Sequence, residues 1–572
     1  MKRPPLKRLI SLLCVMVLAL AVIVVRLAVL QVSQAGAYQT KALDQRVHTI
    51  AIPAARGLIL DRNGDALALS VPARDIYADP RYVTDPWGTA VRLAPALGLD
   101  VRSVAEQLAT DATFVYVARQ VNLGVATDIE QMHLPGIGFL PVTKRYYPAG
   151  PLASQLLGFV GVDGTGLAGL ELEYQGLLAG TAGERTQEIG LHGEPIAGGV
   201  DVDRPPVPGS TVEITIDRDF QYQAQVALEE SVQANHARGG TVIAMNPQTG
   251  DIYAIATYPW FNPNDFTHAK PNTQALRALT DVFEPGSTNK IITAAAAVQE
   301  HVVPLDQRLT VPWTMRVGNF TIHDAQIHAT EQLTLGDIIA ESSNVGTVEI
   351  AQRLGQARMA SYLSRFGLGR STGVGFPGEA SGIMLPLYQW NDTSLATMAY
   401  GQGIAVTPLQ MLSVFATIAN DGRRVSPRLV KGTIGPDGSY HEAAVVPGQR
   451  VVSPQTALMV RRMLAYAVEA GTGRNAQIGG YQVAGKTGTA QIPLPSSLGY
   501  YSAGQYFASF IGMVPAANPQ VVIAAILDRP ATQYGGIAAA PLFRQVARYA
   551  IARLGIEPGR VLQPPPHALP LP

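Results

Sequence analysis

The stretch VFEPGSTNKIITAAAAVQEH (282–301) sets a serine directly behind Pro285-Gly286 and a lysine three residues later. Pro285 and Gly286 cannot carry a helix backward, and the alanine-rich run after them is a strong helix former, so Ser287 falls at a helix N-terminus. Lys290, at i+3, lies on the same face one turn away. An isolated Ser-x-x-Lys is ordinarily a capping serine followed by a solvated lysine. Here the chain has only eight lysines, and Lys290 alone has a serine three residues before it. It is also flanked by Ile291, Ile292 and four consecutive alanines. Desolvation there would lower its pKa toward that of a general base, and a neutral amine beside a serine hydroxyl makes an activated nucleophile.

Two other segments complete a pattern. ESSNVGTVEIAQRLG (341–355) places Ser342-Ser343-Asn344 just before a helix, and AGKTGTAQI (484–492) places Lys486-Thr487-Gly488-Thr489 in a glycine-bounded strand. Each is weak alone; a second Ser-x-Asn at Ser287-Thr288-Asn289 is incidental. The order Ser-x-x-Lys, Ser-x-Asn, Lys-Thr-Gly is the signature of penicilloyl-serine transferases.

The surrounding pattern predicts an α+β fold. GGTVIAMNPQTGDIYAIATYP (239–259) reads as two strands around a turn at Asn246–Gly250. Segments 481–492, 506–515 and 520–528 read as three more antiparallel strands, and 541–554 as a closing helix. Two strands early and three late predict one five-stranded sheet split around a helical lobe, with Thr288–Gln299 and Leu333–Gln352 among its helices. Residues from about 40 to 215 are richer in short strands and turns, and Arg204–Gly209 is a proline-rich hinge.

Equal numbers of basic and acidic residues, 43 each, leave no net charge for nucleic acid to read. The single cysteine, Cys14, excludes an intrachain disulfide and a thiolate metal site, and Leu13 before it is wrong for a lipoprotein. Leu9–Val25 is free of charge, Arg26 can snorkel, and Leu27–Val32 completes a span. Lys2, Arg3, Lys7 and Arg8 ahead of it predict a cytoplasmic N-terminus and an extracytoplasmic body. A signal peptide cleaved near Ala35-Gly36-Ala37 is the alternative. The predicted plan is a basic tail (1–8), a transmembrane helix (9–32), a non-catalytic pedestal (33–215), a catalytic domain (216–556) and an extended, disordered proline-rich tail (557–572).

With its motifs in place, the chain resembles the class B penicillin-binding proteins, monofunctional peptidoglycan D,D-transpeptidases, over nearly all its length. RGLILDRNGDALA (56–68) and GLAGLELEYQGLLAGTAGER (166–185) are similar to that family's pedestal; AYGQGIAVTPLQM (399–411) and YGGIAAAPLF (534–543) are similar to its transpeptidase domain. SSNVG with YGQGIAVTPLQM leans toward the septal, FtsI-like branch rather than the elongation branch. Asn289 stands where relatives more often have an apolar residue, and Ile291 where proline is usual.

The resemblance implies that Ser287 attacks the penultimate D-alanine of a stem peptide while Lys290 takes its proton. It further implies that Ser342 relays a proton and Asn344 binds substrate and Lys290. Lys486 keeps the site electropositive, Thr487, Gly488 and Thr489 bind substrate, the two threonine hydroxyls holding its carboxylate, and the N–H groups of Ser287 and Thr489 form the oxyanion hole. No cofactor or metal is implied. The implied partners are β-lactams as inhibitors, a SEDS-family polymerase and other division proteins of the inner membrane. A β-lactamase or β-lactam sensor and a non-enzymatic scaffold are the competing classes, and the glutamate pattern of class A β-lactamases is not evident. Gly164–Gly169 spells the dinucleotide fingerprint without a βαβ setting. His323, Asp324 and His328 lie at no familiar metal spacing and read as loop polar residues.

Overall fold

The computed structural model describes residues 6–188, 201–492 and 505–566, with 190, 196, 197 and 199. Lys2 and Arg3, and the tail beyond Pro566, lie outside the described residues.

Two compact units are present, one of Met1–Ala55 with Gly180–Pro208 and the other of Arg56–Ala179 with Gly209–Pro572. The first opens with a helix at Leu6–Ala28 that continues through a π-helical turn, Val29–Ser33. Leu6–Ser33 has a mean hydropathy of 3.0 and buries none of its residues, the character of a single-pass anchor. The same unit holds a three-stranded antiparallel sheet of Val47–Ile52, Gly183–Glu188 and Asp201–Arg204.

In the second unit the long strand Ala66–Ala78 pairs with Val115–Asn122 and Ile137–Tyr146 under a cluster containing Ile76, Leu93, Val104 and Leu108. Strand Thr211–Ile214 pairs with Ile59–Leu60 on one side and Val430–Ile434 on the other. The segment just ahead of residue 215 thus hydrogen-bonds to chain on both sides of the expected domain boundary. Gly164–Gly169 is a loop packed on Glu171: a Cβ on Gly166 would stand 2.0 Å from the Glu171 carbonyl oxygen. Glu171 is fully buried and pairs with Arg56 and Arg145 at 2.6 Å each.

The central sheet has five strands in the order Ile252–Tyr258, Gly239–Met245, Val521–Asp528, Tyr506–Val514, Ala484–Gln491, every neighbour antiparallel. Both faces are covered, and the strand period of two sorts side chains between two cores. Val242, Ala244, Ile523 and Ala525 pack with helices Arg218–Ala234 and Ala540–Leu554. Ile243, Met245, Val522 and Ala524 face the helical lobe, which contains Lys290–Gln299, the wholly buried Pro408–Ala419 and Pro454–Glu469.

Three expectations need correction. The helix predicted from Thr288 begins as a 3₁₀ turn, Gly286–Asn289, before the α-helix at Lys290. The helix predicted over Leu333–Gln352 is two, Leu335–Glu341 and Asn344–Leu354, broken where Ser342 takes a left-handed conformation (φ 66°) and Ser343 caps the second. The tail is docked as far as Pro565: Leu562 is buried, exchanges hydrogen bonds with the Gln482 amide, and Pro565 packs on Gly336.

Candidate active site

The turn that carries Ser287, Gly286–Asn289, is pinned from two sides by backbone. Gly286 (φ 54°) donates to the Gly401 carbonyl at 3.0 Å, and a Cβ on Gly401 would lie 2.2 Å from the Gly286 carbonyl oxygen. The Asn289 Nδ2 donates to the Met398 carbonyl at 2.7 Å and Thr293 to that of Ala399 at 2.8 Å. This explains the departure at position 289: the amide ties the turn to the C-terminal end of helix Asp392–Ala399. Its Oδ1 is buried without a hydrogen bond among the described residues. On the opposite side the turn lies on the sheet's edge strand. A Cβ on Gly488 would meet Thr288 Cγ2 at 3.0 Å and the Pro285 carbonyl at 3.1 Å, so glycine permits the approach.

Lys290 is fully buried, and its Nζ donates to the Ser342 carbonyl (2.5 Å) and to Asn344 Oδ1 (2.7 Å), with Ser342 Oγ at 3.4 Å. Its pKa is held well below the usual lysine value, chiefly by burial, with the charge of Lys486 adding to the effect and Asp324 opposing it. The left-handed turn at Ser342 aims that residue's carbonyl and hydroxyl at the amine. Ser342 and Asn344, predicted from a tripeptide, thus converge with Lys290 on one point.

Lys486 is also buried, and its Nζ lies 3.2 Å from Thr487 Oγ1. Burial pulls its pKa from 10.5 down to about 7. The hydroxyls of Thr487 and Thr472 are 2.8 Å apart, and Thr489 Oγ1 donates to the Gln533 carbonyl at 3.1 Å. Thr472, in a Gly-Thr-Gly loop, escaped the sequence reading because nothing in that tripeptide distinguishes it from an ordinary turn.

Asp324, by sequence a polar loop residue, has a carboxylate that accepts from Ser343 Oγ at 2.6 Å and from the N–H groups of Asn344 and Val345. No sequence spacing signals this, since the contact spans some twenty residues. Among the described residues no cluster fit for a metal ion is found.

Residues 240–548 match the penicillin binding protein transpeptidase domain and residues 51–214 the penicillin-binding protein dimerisation domain. The penicillin-binding protein PbpB of Mycolicibacterium smegmatis is 36% identical, over 95% of this chain and 89% of that protein. The peptidoglycan D,D-transpeptidase FtsI of Escherichia coli is 33% identical, over 96% of this chain and 92% of its own. The crystal structure of penicillin binding protein 3 from Mycobacterium tuberculosis in complex with aztreonam is similar at a TM-score of 0.72 and 33% identity, covering 89% of this chain and 98% of that one.

Proposed function

The chain belongs to the class B penicillin-binding proteins, and from that membership we propose a septal peptidoglycan D,D-transpeptidase that works through an acyl-enzyme on Ser287 and is inhibited by β-lactams. The observation that carries the reading is the hydrogen-bonding of Lys290. A neutral amine has two hydrogens, and Ser342 O and Asn344 Oδ1 accept them, which leaves the lone pair for the Ser287 hydroxyl proton. Burial favours that neutral form.

Ser287 Oγ adds to the carbonyl carbon of the penultimate D-alanine as its proton passes to Lys290. The C–N bond then breaks, and the proton leaves with the terminal D-alanine, with Ser342 as the relay. The amine of a neighbouring stem peptide attacks the ester and loses a proton to Lys290, which hands it to Ser287 Oγ as the ester C–O bond breaks. In an antiparallel strand a residue's N–H and C=O point the same way, and the Thr489 carbonyl lies within 2.6 Å of where a Gly286 Cβ would stand. The Thr489 N–H therefore faces the nucleophile turn, as an oxyanion donor must; such a donor contributes about 3 kcal/mol. Lys486, Thr487 and Gly488 form the floor for the substrate carboxylate and backbone.

The helix at 9–32, preceded by basic residues, serves as the inner-membrane anchor with the N-terminus in the cytoplasm. The domain matched within the catalytic part (216–556) is a transpeptidase domain, and in this reading nascent glycan strands come from another membrane protein, a SEDS-family polymerase met by the anchor and pedestal (33–215). Exchanging residues 9–32 for an unrelated apolar helix should leave penicillin acylation of Ser287 intact while septal wall synthesis fails. Full complementation of division by the exchanged chain would contradict the partner role of the anchor.

A further inference from the structure

The loop at 323–331 belongs to none of the three motifs, yet it surrounds the Ser-x-Asn segment. Asp324 accepts the first free N–H groups of helix Asn344–Leu354 and sits at the positive end of its dipole. Asn344 is thereby fixed, with Nδ2 donating to the His323 carbonyl (3.0 Å) and Oδ1 accepting from Lys290 (2.7 Å). The same carboxylate meets a second group. Its Oδ2 is 3.2 Å from His328 Nε2, while His328 Nδ1 is 2.7 Å from the Ala329 carbonyl and 3.5 Å from Glu331.

Both ring nitrogens of His328 therefore face acceptors. A neutral imidazole has one N–H and leaves one of them opposed lone pair to lone pair; an imidazolium satisfies both. Burial works against the charge, but the contacts with Ala329, Asp324 and Glu331 outweigh it and raise the pKa of His328.

We propose that Asp324, oriented by a charged His328, is the positioning residue for Lys290: it locks Asn344 against the amine and sets a fixed negative charge in its surroundings. The proposal rests on Lys290 being the general base. The charged groups acting on Lys290 are Lys486, which with burial favours the neutral amine, and Asp324, which favours the protonated one. Those acting on His328 are Asp324 and Glu331, with Glu341 sensing its charge from the preceding helix. Acylation requires neutral Lys290, so its rate falls on the acid side of the Lys290 titration. Without the Asp324 charge that titration moves to lower pH. Misplacing Asn344 lowers the plateau independently of it.

The test is the rate of acylation of the full chain by a fluorescent penicillin as a function of pH. Asp324→Asn should lower the plateau roughly 10- to 100-fold, as expected for a displaced catalytic group, and shift the acid limb to lower pH. Asp324→Glu, which keeps the charge, should lower the plateau and leave the limb in place. His328→Gln retains a donor to Asp324 and should stay within a few-fold of wild type, about the worth of one hydrogen bond; His328→Leu has none and should fall toward Asp324→Glu. A limb that does not move in folded Asp324→Asn, or His328→Leu acylating like wild type, would overturn the proposal, and the His328 pair decides it if Asp324→Asn does not fold. If Lys290→Ala retains the wild-type acid limb in its residual labelling, it is the reading of Lys290 as base that fails.

Discussion

Lys486 has no carboxylate beside it among the described residues, and burial holds its pKa at about 7. A bound substrate or β-lactam carboxylate stabilises the ammonium and pushes that pKa back toward 10.5. Between these two values the free protein lacks a proton that the complex holds. Ser287→Ala, which binds without acylating, should therefore take up close to one proton per carboxylate β-lactam at pH 8.5 and almost none at pH 6, measured by calorimetry in buffers of different ionisation enthalpy. A methyl ester should take up none; equal uptake by acid and ester would exclude Lys486 as the carboxylate's counter-charge. At this scale the burial of Lys290 and Lys486 and the meeting of Lys290 with Ser342 and Asn344 were legible because each motif pairs a chemical residue with neighbours that dictate its setting. Ile291, Ile292 and the alanines announced the burial of Lys290. Asp324 and Thr472 were not legible: each acts through contacts made across many residues, and a lone Asp or Thr in a turn is most often only a turn former.

At the scale of elements, the site depends on how closely the nucleophile turn approaches the edge strand. A Cβ on Gly488 would stand 2.3 Å from Ser509 Oγ and 3.0 Å from Thr288 Cγ2. Gly488→Ala should part the turn from the strand and slow acylation about 10²-fold, the cost of a misplacement near 1 Å. Adding Ser509→Ala, which removes the nearer clash, should restore part of the rate; a double variant no faster than Gly488→Ala would show that Thr288 sets the spacing. The strands themselves were readable from their apolar runs and the Asn246–Gly250 turn. The break at Ser342 was hidden, because apolar residues continue at helical spacing across it and only the left-handed conformation of Ser342 and the Ser343 cap mark it. The docked tail was hidden too: its composition is that of a disordered segment, and what holds it is the burial of Leu562 and Pro565 and one amide, Gln482, far away in sequence.

Over the whole molecule, the split of the sheet into two early and three late strands lays the strand that carries Lys486 against the turn that carries Ser287, with Gly488 against Thr288 and Thr489 against Gly286, although 199 positions separate the serine from the lysine in sequence. The motif order implied that meeting, and the antiparallel pairing of Ala484–Gln491 as edge strand accomplishes it. The division into compact units was less legible. The proline-rich hinge drew a boundary near residue 215, but β-pairing across it depends on backbone hydrogen bonds that composition does not report. The proposed acyl-enzyme is a covalent bond at one oxygen, Ser287 Oγ. Labelling the full-length protein with fluorescent penicillin, mapping the adduct by peptide mass spectrometry and following its lifetime tests that most directly. The expected result is a single adduct on Ser287 that persists for many minutes in wild type and is absent from Ser287→Ala. An adduct that survives in Ser287→Ala, maps elsewhere, or is hydrolysed within seconds as in a β-lactamase would contradict it.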